Sequence, residues 1–276
     1  MFECLGQFAD VFHLKDEADR LWWQVFSYSQ GDEPSDFVGR EKATQQNIAA
    51  IRWLTYRAAL RQSWRGLARY SRWLRYTRFL LGQKPIRYLD KTIANCFHLE
   101  FLELAFPGAQ FIFLVRDPRA NISSMLESWP HLKLVGKPQL DAIVHNQPNA
   151  SVDHWSFPAP PGWQSVLPKP LPEICAWIWQ QHVEYVQQFF RQSRQAMILV
   201  RYEDLITERW ATIAEIAAKL GLEPTKHTQA QVRQGPMSRT VVSKPYPDKW
   251  KNQNYEEIQS ILPLIRETAA GIGYEL

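Results

Sequence analysis

The sequence predicts an α/β protein with a central parallel sheet. Short apolar segments alternate with amphipathic ones, and charged or polar residues directly follow the apolar segments. Such alternation is typical of parallel strands joined by right-handed helical crossovers. The 276 residues, 45% of them hydrophobic, are enough for one large domain with a buried core. We therefore expect a single domain over 1–276, with its ligand at the carboxyl ends of the strands.

The composition indicates the charge of the ligand and argues against several classes of protein. Lys and Arg together number 32 and Asp and Glu 28, with an estimated pI of 8.9. This mildly basic balance favours an anionic ligand over nucleic acid. The cysteines Cys4, Cys96 and Cys175 lie far apart and are odd in number, which argues against a disulfide framework or a zinc site. Without a long apolar span or a secretory leader, the sequence predicts a cytoplasmic protein with no membrane-spanning segment.

The first third of the chain is predicted to be mainly helical. An amphipathic helical pattern begins at once over 1–23, with no strand before it, and 27–45 has the polar composition of a surface loop. A long helix is expected from about Gln46 to Leu81. Its arginines recur every three or four residues, at Arg57, Arg61, Arg65, Arg69, Arg72, Arg75 and Arg78. They form either a solvated face or a peripheral contact surface for acidic substrates or anionic lipid.

Three strands with intervening helices follow. The predicted strands are 86–89, 111–115 and 196–202, and the predicted helices are 95–106, a helix from near Asp117, and 212–222, ended by Gly221. Each strand ends in a charged or polar cluster, and we expect the three clusters to converge at one edge of the sheet. The clusters are Asp90 with Lys91, Arg116 with Asp117, and Arg201 to Asp204.

A proline-rich stretch separates the second and third strands. Residues from about 133 to 172 hold eight of the eighteen prolines, along with Trp155 and Trp163. The stretch is too long for an ordinary connection, so it is either a lid over the substrate or a disordered insertion. Its aromatic residues favour the lid.

The segment FIFLVRDPRANISS, 111–124, has the features of an anion site. Asp117 is suited to cap the following helix, and Pro118 to occupy its first position. The free amides and dipole of the helix amino terminus favour an anion, and Arg116 adds a planar fork of donors that suits phosphate. Ser123 and Ser124 offer hydroxyl groups. In the alternative interpretation, Arg116 only pairs with Asp117 or with Glu203.

These residues resemble the PAPS-dependent sulfotransferases, including the tyrosylprotein, heparan sulfate and bacterial enzymes. Arg-Asp-Pro-Arg with a serine eight positions after its first arginine is similar to the segment that binds the 3′-phosphate, which assigns that role to Arg116 and Ser124. Three further stretches match the family in order, namely DKTIAN at 90–95, VRYEDL at 200–205 and PDKWKN at 247–252. The resemblance implies a P-loop-like three-layer fold around a parallel sheet, with PAPS as sulfuryl donor and no metal.

The resemblance also assigns roles in sulfuryl transfer, which needs a base, cations and accurate positioning. Glu17 is similar to the family's general base, with Asp16 and Asp19 as rivals, and Lys91 to the lysine beside the transferring group. Tyr202 is similar to the tyrosine near the adenine, the alternative being a core tyrosine. The acceptor is expected to be a hydroxyl or amine of a sugar, a lipid or a small metabolite.

Two regions depart from the family pattern. The carboxyl-terminal segment lacks the Arg-Lys-Gly loop of cytosolic members, and the candidate replacements for phosphate binding are Ser238, Ser243, Lys244 and Lys251. The first strand and its Pro-Arg-Ser-Gly-Thr-Thr-like loop for the 5′-phosphosulfate are not found in the sequence. Either Met1 is an internal start of a longer protein, or the chain is a remnant that has lost this loop, and in both cases we expect the 276 residues alone to bind nucleotide poorly and to transfer nothing. The alternative function is a non-catalytic protein of the same fold that binds an acidic polymer or a membrane surface.

Overall fold

The computed structural model describes residues 1–8, 11–13, 17–26, 34–64, 87–131, 138–234 and 248–276. Its strands form two parallel pairs. Strand β1 (Val11–His13) pairs with β2 (Arg87–Leu89), with Val11 opposite Arg87. Strand β3 (Phe111–Val115) pairs with β4 (Met197–Arg201), with Phe111 opposite Met197. The predicted α/β class with parallel strands is thereby confirmed.

Helices account for most of the remaining regular structure in the described residues. In chain order they are α1 (Phe2–Leu5), α2 (Asp19–Val25), α3 (Gln45–Trp64), α4 (Leu99–Ala105), α5 (Pro118–Ser128), α6 (Pro138–His145), α7 (Leu171–Gln192), α8 (Tyr202–Thr207), α9 (Arg209–Lys219), α10 (Lys226–Gln234), α11 (Trp250–Gln253) and α12 (Tyr255–Gly271). Short 3₁₀ turns occur at Arg40–Lys42, Ile93–Phe97 and Trp163–Val166. Within the described ranges, none of these helices combines the length and hydropathy needed to span a bilayer.

The amino-terminal prediction is wrong at one important place. The pattern over 1–23 predicted a helix, but Val11–His13 forms β1, and the helices on either side are short. Three residues are too few for periodicity to distinguish a strand from a helix, and the pairing with β2 decides the outcome. As a consequence, Glu17 follows a strand and not a helix.

Most of the later elements agree with the sequence. Strand β3 covers the predicted residues, whereas β2 and β4 are slightly shorter than predicted. The predicted helix over 95–106 is divided into the 3₁₀ turn Ile93–Phe97 and α4. Helix α9 begins earlier than expected and ends before Gly221, whose φ of 63° is the left-handed conformation of a helix stop. The continuation of α3 toward Leu81 lies outside the described residues.

Two of the four apolar clusters among the described residues contain side chains of the strand pairs and of α5. The larger one lies among α5, α6, α7 and α12 and includes Trp129, Trp179 and Ile261. The second contains Val11 of β1, Val200 of β4 and Ile213 of α9, and side chains from β2 and β3 contact it. Both strand pairs therefore adjoin one shared apolar cluster. Cys4, Cys96 and Cys175 are free thiols in this structure.

The described part of the proline-rich stretch belongs to the core. Trp155 and Trp163 are 1% and 0% exposed and contact each other within the larger cluster. The indole N–H of Trp163 donates to the carbonyl oxygen of Pro34 at 2.7 Å. The interpretation as a disordered insertion is therefore wrong for 138–172, because its aromatic side chains are buried in place. A lid function remains a prediction.

Candidate active site

Charged and polar residues gather after both strand pairs. After β1 and β2 come Glu17 and Lys91, while Arg116 and Glu203 follow β3 and β4. In each pair the strands are parallel, so their carboxyl ends emerge on the same side. The structure thus brings together the predicted residues within each group. Convergence of both groups on a single ligand remains a prediction.

Glu17 and Lys91 form the first group. The Lys91 Nζ lies 4.0 Å from a carboxylate oxygen of Glu17, and the two side chains are 31% and 32% exposed. Burial, reinforced by the charges of Asp19 and Asp90, raises the pKa of Glu17 from 4.5 to about 7, although Lys91 and the amide of Ile93 act in the opposite direction. A carboxyl group that titrates near neutral pH is well suited to accept and release a proton.

A hydrogen-bond network fixes the backbone beside Glu17. The hydroxyl oxygen of Thr92 accepts from the Ala18 amide at 2.7 Å, and this hydroxyl donates to Asp90 at 2.8 Å. Asp90 also accepts from the Thr92 amide at 3.1 Å and from the side-chain amide of Asn95 at 2.9 Å. Asp90 and Thr92 thereby tie the end of β2 to the segment after β1. These roles of Asp90 and Thr92 were not predicted from the sequence, although an Asp followed two residues later by Thr is a signal for such a turn.

The rivals of Glu17 have different positions. Asp19 is the first residue of α2, and its charge acts to raise the pKa of Glu17. Asp16 lies outside the described residues. The general-base role of Glu17 remains a prediction, supported by its ion pair with Lys91.

The start of α5 matches the sequence prediction. A carboxylate oxygen of Asp117 accepts from the Arg119 amide at 2.8 Å, which makes Asp117 the helix cap, and Pro118 occupies the first position. The Arg119 guanidinium also donates to Asp117, at distances of 2.6 to 3.2 Å, and this bonding raises the pKa of Arg119. Because a carboxylate already takes up one amide of the first turn, the helix terminus has less to offer an anion than the sequence implied.

Arg116 has a different environment. Its guanidinium lies 5.0 Å from the ring centroid of Tyr202. The two carboxylates suggested as its partners are engaged elsewhere: Asp117 pairs with Arg119, and Glu203 accepts from the Asp117 amide at 2.9 Å and from the Tyr274 hydroxyl at 2.6 Å. Among the described residues, no carboxylate forms an ion pair with Arg116. The described contacts thus give no support to pairing of Arg116 with Asp117 or Glu203, and its role as an anion ligand remains a prediction.

The two serines of α5 also differ. Ser123 is buried, and its hydroxyl oxygen accepts from the side-chain amide of Asn254 at 2.8 Å. Ser124 is exposed at the surface of the helix. Ser124 is therefore the more exposed of the two, and its role as a phosphate ligand remains a prediction.

The other predicted nucleotide contacts are partly described. Tyr202, at the start of α8, is half-buried with its ring against Arg116, so it is not a fully buried core residue. Lys251 of α11 pairs with Asp248 at 3.1 Å and lies 5.6 Å from the Trp250 ring centroid. Trp250 is buried. The remaining candidates, Ser238, Ser243 and Lys244, lie outside the described residues.

The arginine stripe is described only at its beginning. Arg57 lies 4.8 Å from the ring centroid of Trp53, and Trp53 and Tyr56 are both more than half exposed. The stripe from Arg65 onward falls outside the described residues. Peripheral contact through this helix therefore stays a prediction. The described residues contain no group of three or more His, Cys, Asp or Glu side chains that could hold a metal ion.

Comparison with known proteins identifies the family. Residues 9–157, more than half of the chain, match the family model described as "Sulfotransferase family", and the chain therefore belongs to the sulfotransferase family. The matched range includes Glu17, Lys91, Arg116 and Ser124. The crystal structure of sulfotransferase STF9 from Mycobacterium avium is similar with a TM-score of 0.48 and 14% identity, covering 100% of this chain and 74% of that one. No curated protein gives a significant match to the sequence.

Proposed function

We propose that this protein transfers a sulfuryl group from PAPS to a hydroxyl or amine of a sugar, lipid or small-metabolite acceptor. The observation that carries the proposal is the contact between Glu17 and Lys91 at the ends of two paired strands. It places a carboxyl group with a pKa near 7 beside a lysine side chain. Sulfuryl transfer needs a base for the acceptor proton and a positive charge beside the leaving oxygen, and these two residues can supply them.

The two residues have complementary roles in the proposed reaction. Bound PAPS supplies the sulfuryl group, whose bond to the bridging phosphate oxygen breaks as a bond to the acceptor oxygen or nitrogen forms. Glu17 removes the proton of the acceptor, and its raised pKa increases its strength as a base. Lys91 places a positive charge where negative charge develops on the departing oxygen.

Arg116 and Ser124 are the proposed ligands of the 3′-phosphate. This assignment is supported by the guanidinium of Arg116, which lacks a carboxylate partner among the described residues, and by the exposed hydroxyl of Ser124. The ring of Tyr202, against Arg116, is a candidate contact for the nucleotide base. Lys251 is a further candidate, because α11 lies beside α5, where Arg119 contacts the ring of Trp250.

Titration calorimetry with adenosine 3′,5′-bisphosphate tests the nucleotide site. Arg116→Ala should weaken binding by about tenfold or more, because a charge-assisted hydrogen bond to phosphate is lost. Arg191→Ala, which removes an exposed arginine near the end of α7, is the matched control and should bind as the wild type does. The affinity for 5′-AMP, which lacks the 3′-phosphate, should be the same in Arg116→Ala and in the wild type.

Equal affinity of the wild type for the two nucleotides would overturn the nucleotide site. Salt-sensitive binding to heparin or anionic vesicles without nucleotide selectivity would favour the non-catalytic alternative.

Transfer is tested separately from binding, and first in the wild type, because the absence of the phosphate-loop pattern from the sequence predicts little or no transfer by these 276 residues alone. With radiolabelled PAPS and a panel of phenol, sugar and amine acceptors, Glu17→Gln should reduce transfer by about a hundredfold or more while leaving nucleotide affinity unchanged, since the amide cannot act as a base. Asp19→Asn is the control for the neighbouring carboxylate. A Glu17→Gln variant with the full wild-type rate would exclude Glu17 as the base.

A further inference from the structure

Glu203 joins two distant parts of the chain. One of its carboxylate oxygens accepts from the backbone amide of Asp117 at 2.9 Å, and the other accepts from the hydroxyl of Tyr274 at 2.6 Å. Asp117 caps α5, and Tyr274 follows the end of α12. A single side chain thus connects the start of α5 to the segment after the last helix.

Tyr274 is held firmly in this position. Its side chain is buried, and the guanidinium of Arg201 lies 4.9 Å from its ring centroid. Arg201 also donates to the carbonyl oxygen of Gly273 at 2.7 Å. Gly273 has a φ of 80°, a left-handed backbone conformation that favours glycine. The Tyr274 hydroxyl is therefore directed onto Glu203 by its surroundings.

The same contacts determine where Arg116 lies. Arg116 directly precedes Asp117, and Tyr202, against which Arg116 rests, directly precedes Glu203. The bond between Glu203 and the Asp117 amide therefore fixes the two neighbours relative to each other. It therefore adds to the strand ladder and the cap in holding the junction between β3 and α5.

We infer that Glu203 and Tyr274 are positioning residues that hold Arg116 and the first turn of α5 in the geometry needed for the 3′-phosphate. Neither residue needs to contact the nucleotide. The inference rests on the proposed function for its ligand, and on the structure alone for the mechanical link between the carboxyl-terminal segment and α5.

Tyr274→Phe tests this inference because it removes only the hydroxyl. Hydrogen exchange measured by mass spectrometry should show faster exchange in peptides covering 116–124, with little change elsewhere. Affinity for adenosine 3′,5′-bisphosphate should fall by about fivefold, as expected for an indirect loss smaller than removal of the ligand itself, while affinity for 5′-AMP stays the same. Tyr185→Phe, on α7 and in contact with Phe37 and Phe97, is the matched control.

Glu203→Gln provides a second variant. It keeps one acceptor oxygen at nearly the same shape, so its exchange and affinity should lie between those of the wild type and Glu203→Ala. If Tyr274→Phe does not fold, Glu203→Gln still tests whether this contact positions Arg116.

The outcomes separate the two proposals. Unchanged exchange over 116–124 in both variants would overturn the mechanical link. Faster exchange with an equal loss of affinity for both nucleotides would show a purely structural role and overturn the positioning of Arg116. If the wild type shows no preference for the 3′-phosphate, the proposed function fails and the positioning of Arg116 for phosphate fails with it, while the exchange data still decide the mechanical link.

Discussion

Arg116 and Arg119 lie within one turn of each other, and the structure gives their guanidinium groups different surroundings. Arg119 donates several hydrogen bonds to Asp117 and lies over the ring of Trp250. Arg116 lies against the ring of Tyr202, and no carboxylate of the described residues pairs with it. Since a paired guanidinium has little left to offer a ligand, we expect Arg116 to be the stronger anion ligand of the two.

Glu17 leads to a prediction about pH and stability. Because the pKa of Glu17 is raised from 4.5 to about 7, the folded protein keeps a proton in this window that the unfolded chain has released. The free energy of unfolding therefore falls as pH rises from 4.5 to about 7, and Glu17→Gln removes this loss. Between about pH 5 and about pH 8, we expect the free energy of unfolding of the variant to rise by about 1 kcal/mol relative to that of the wild type. The gain is this small because Glu17 is partly exposed and solvent screens its charge.

Urea denaturation at the two pH values measures this difference. Glu215→Gln, which changes an exposed carboxylate on α9, is the control and should follow the wild-type profile. Parallel pH profiles for Glu17→Gln and the wild type would show that the pKa of Glu17 is not raised.

At the scale of single elements, local signals predicted the parts of the site but not their connections. Strand β3 and the cap of α5 were predictable because an apolar run is followed directly by Arg116, Asp117 and Pro118. The preferences of Asp117 and Pro118 depend only on residues close in sequence. Strand β1 was missed because three residues carry no clear period. The bond from Tyr274 to Glu203 spans 71 positions and leaves no local pattern, so only tertiary structure reveals it.

The cap of α5 gives an element-level prediction. Asp117→Ala should destabilise the protein by about 1 kcal/mol or somewhat more, because the Arg119 amide and the Arg119 guanidinium both lose their acceptor. Asp117→Asn keeps a side-chain oxygen that can accept from the amide, and it should cost about half as much or less. Thermal unfolding of both variants measures the two effects. An equal cost for Ala and Asn would show that the charge of Asp117, and not the cap, provides the stabilisation.

At the scale of the whole molecule, the two strand pairs and the proline-rich stretch form one structure. The cluster that contains Val11, Val200 and Ile213 adjoins both strand pairs, so it fixes the relative positions of the two groups of candidate residues. The larger cluster connects α5 to the proline-rich stretch through Trp129 and Trp155. Helix α5 therefore packs against residues of the proline-rich stretch, which the composition suggested were outside the core.

Trp163 tests this view of the proline-rich stretch. Its side chain is fully buried, contacts Trp155, and donates to the carbonyl oxygen of Pro34, 129 positions away. If the stretch is part of the core, Trp163→Ala leaves a large cavity and an unpaired carbonyl, and the free energy of unfolding should fall by about 3–5 kcal/mol. Trp53→Ala, at a tryptophan that is 54% exposed, is the matched control and should change stability by about 0.5 kcal/mol or less. Urea denaturation of both variants supplies the comparison. If Trp163→Ala cost no more than Trp53→Ala, the stretch would be a separable lid, because a lid can lose an aromatic contact without weakening the domain that it covers.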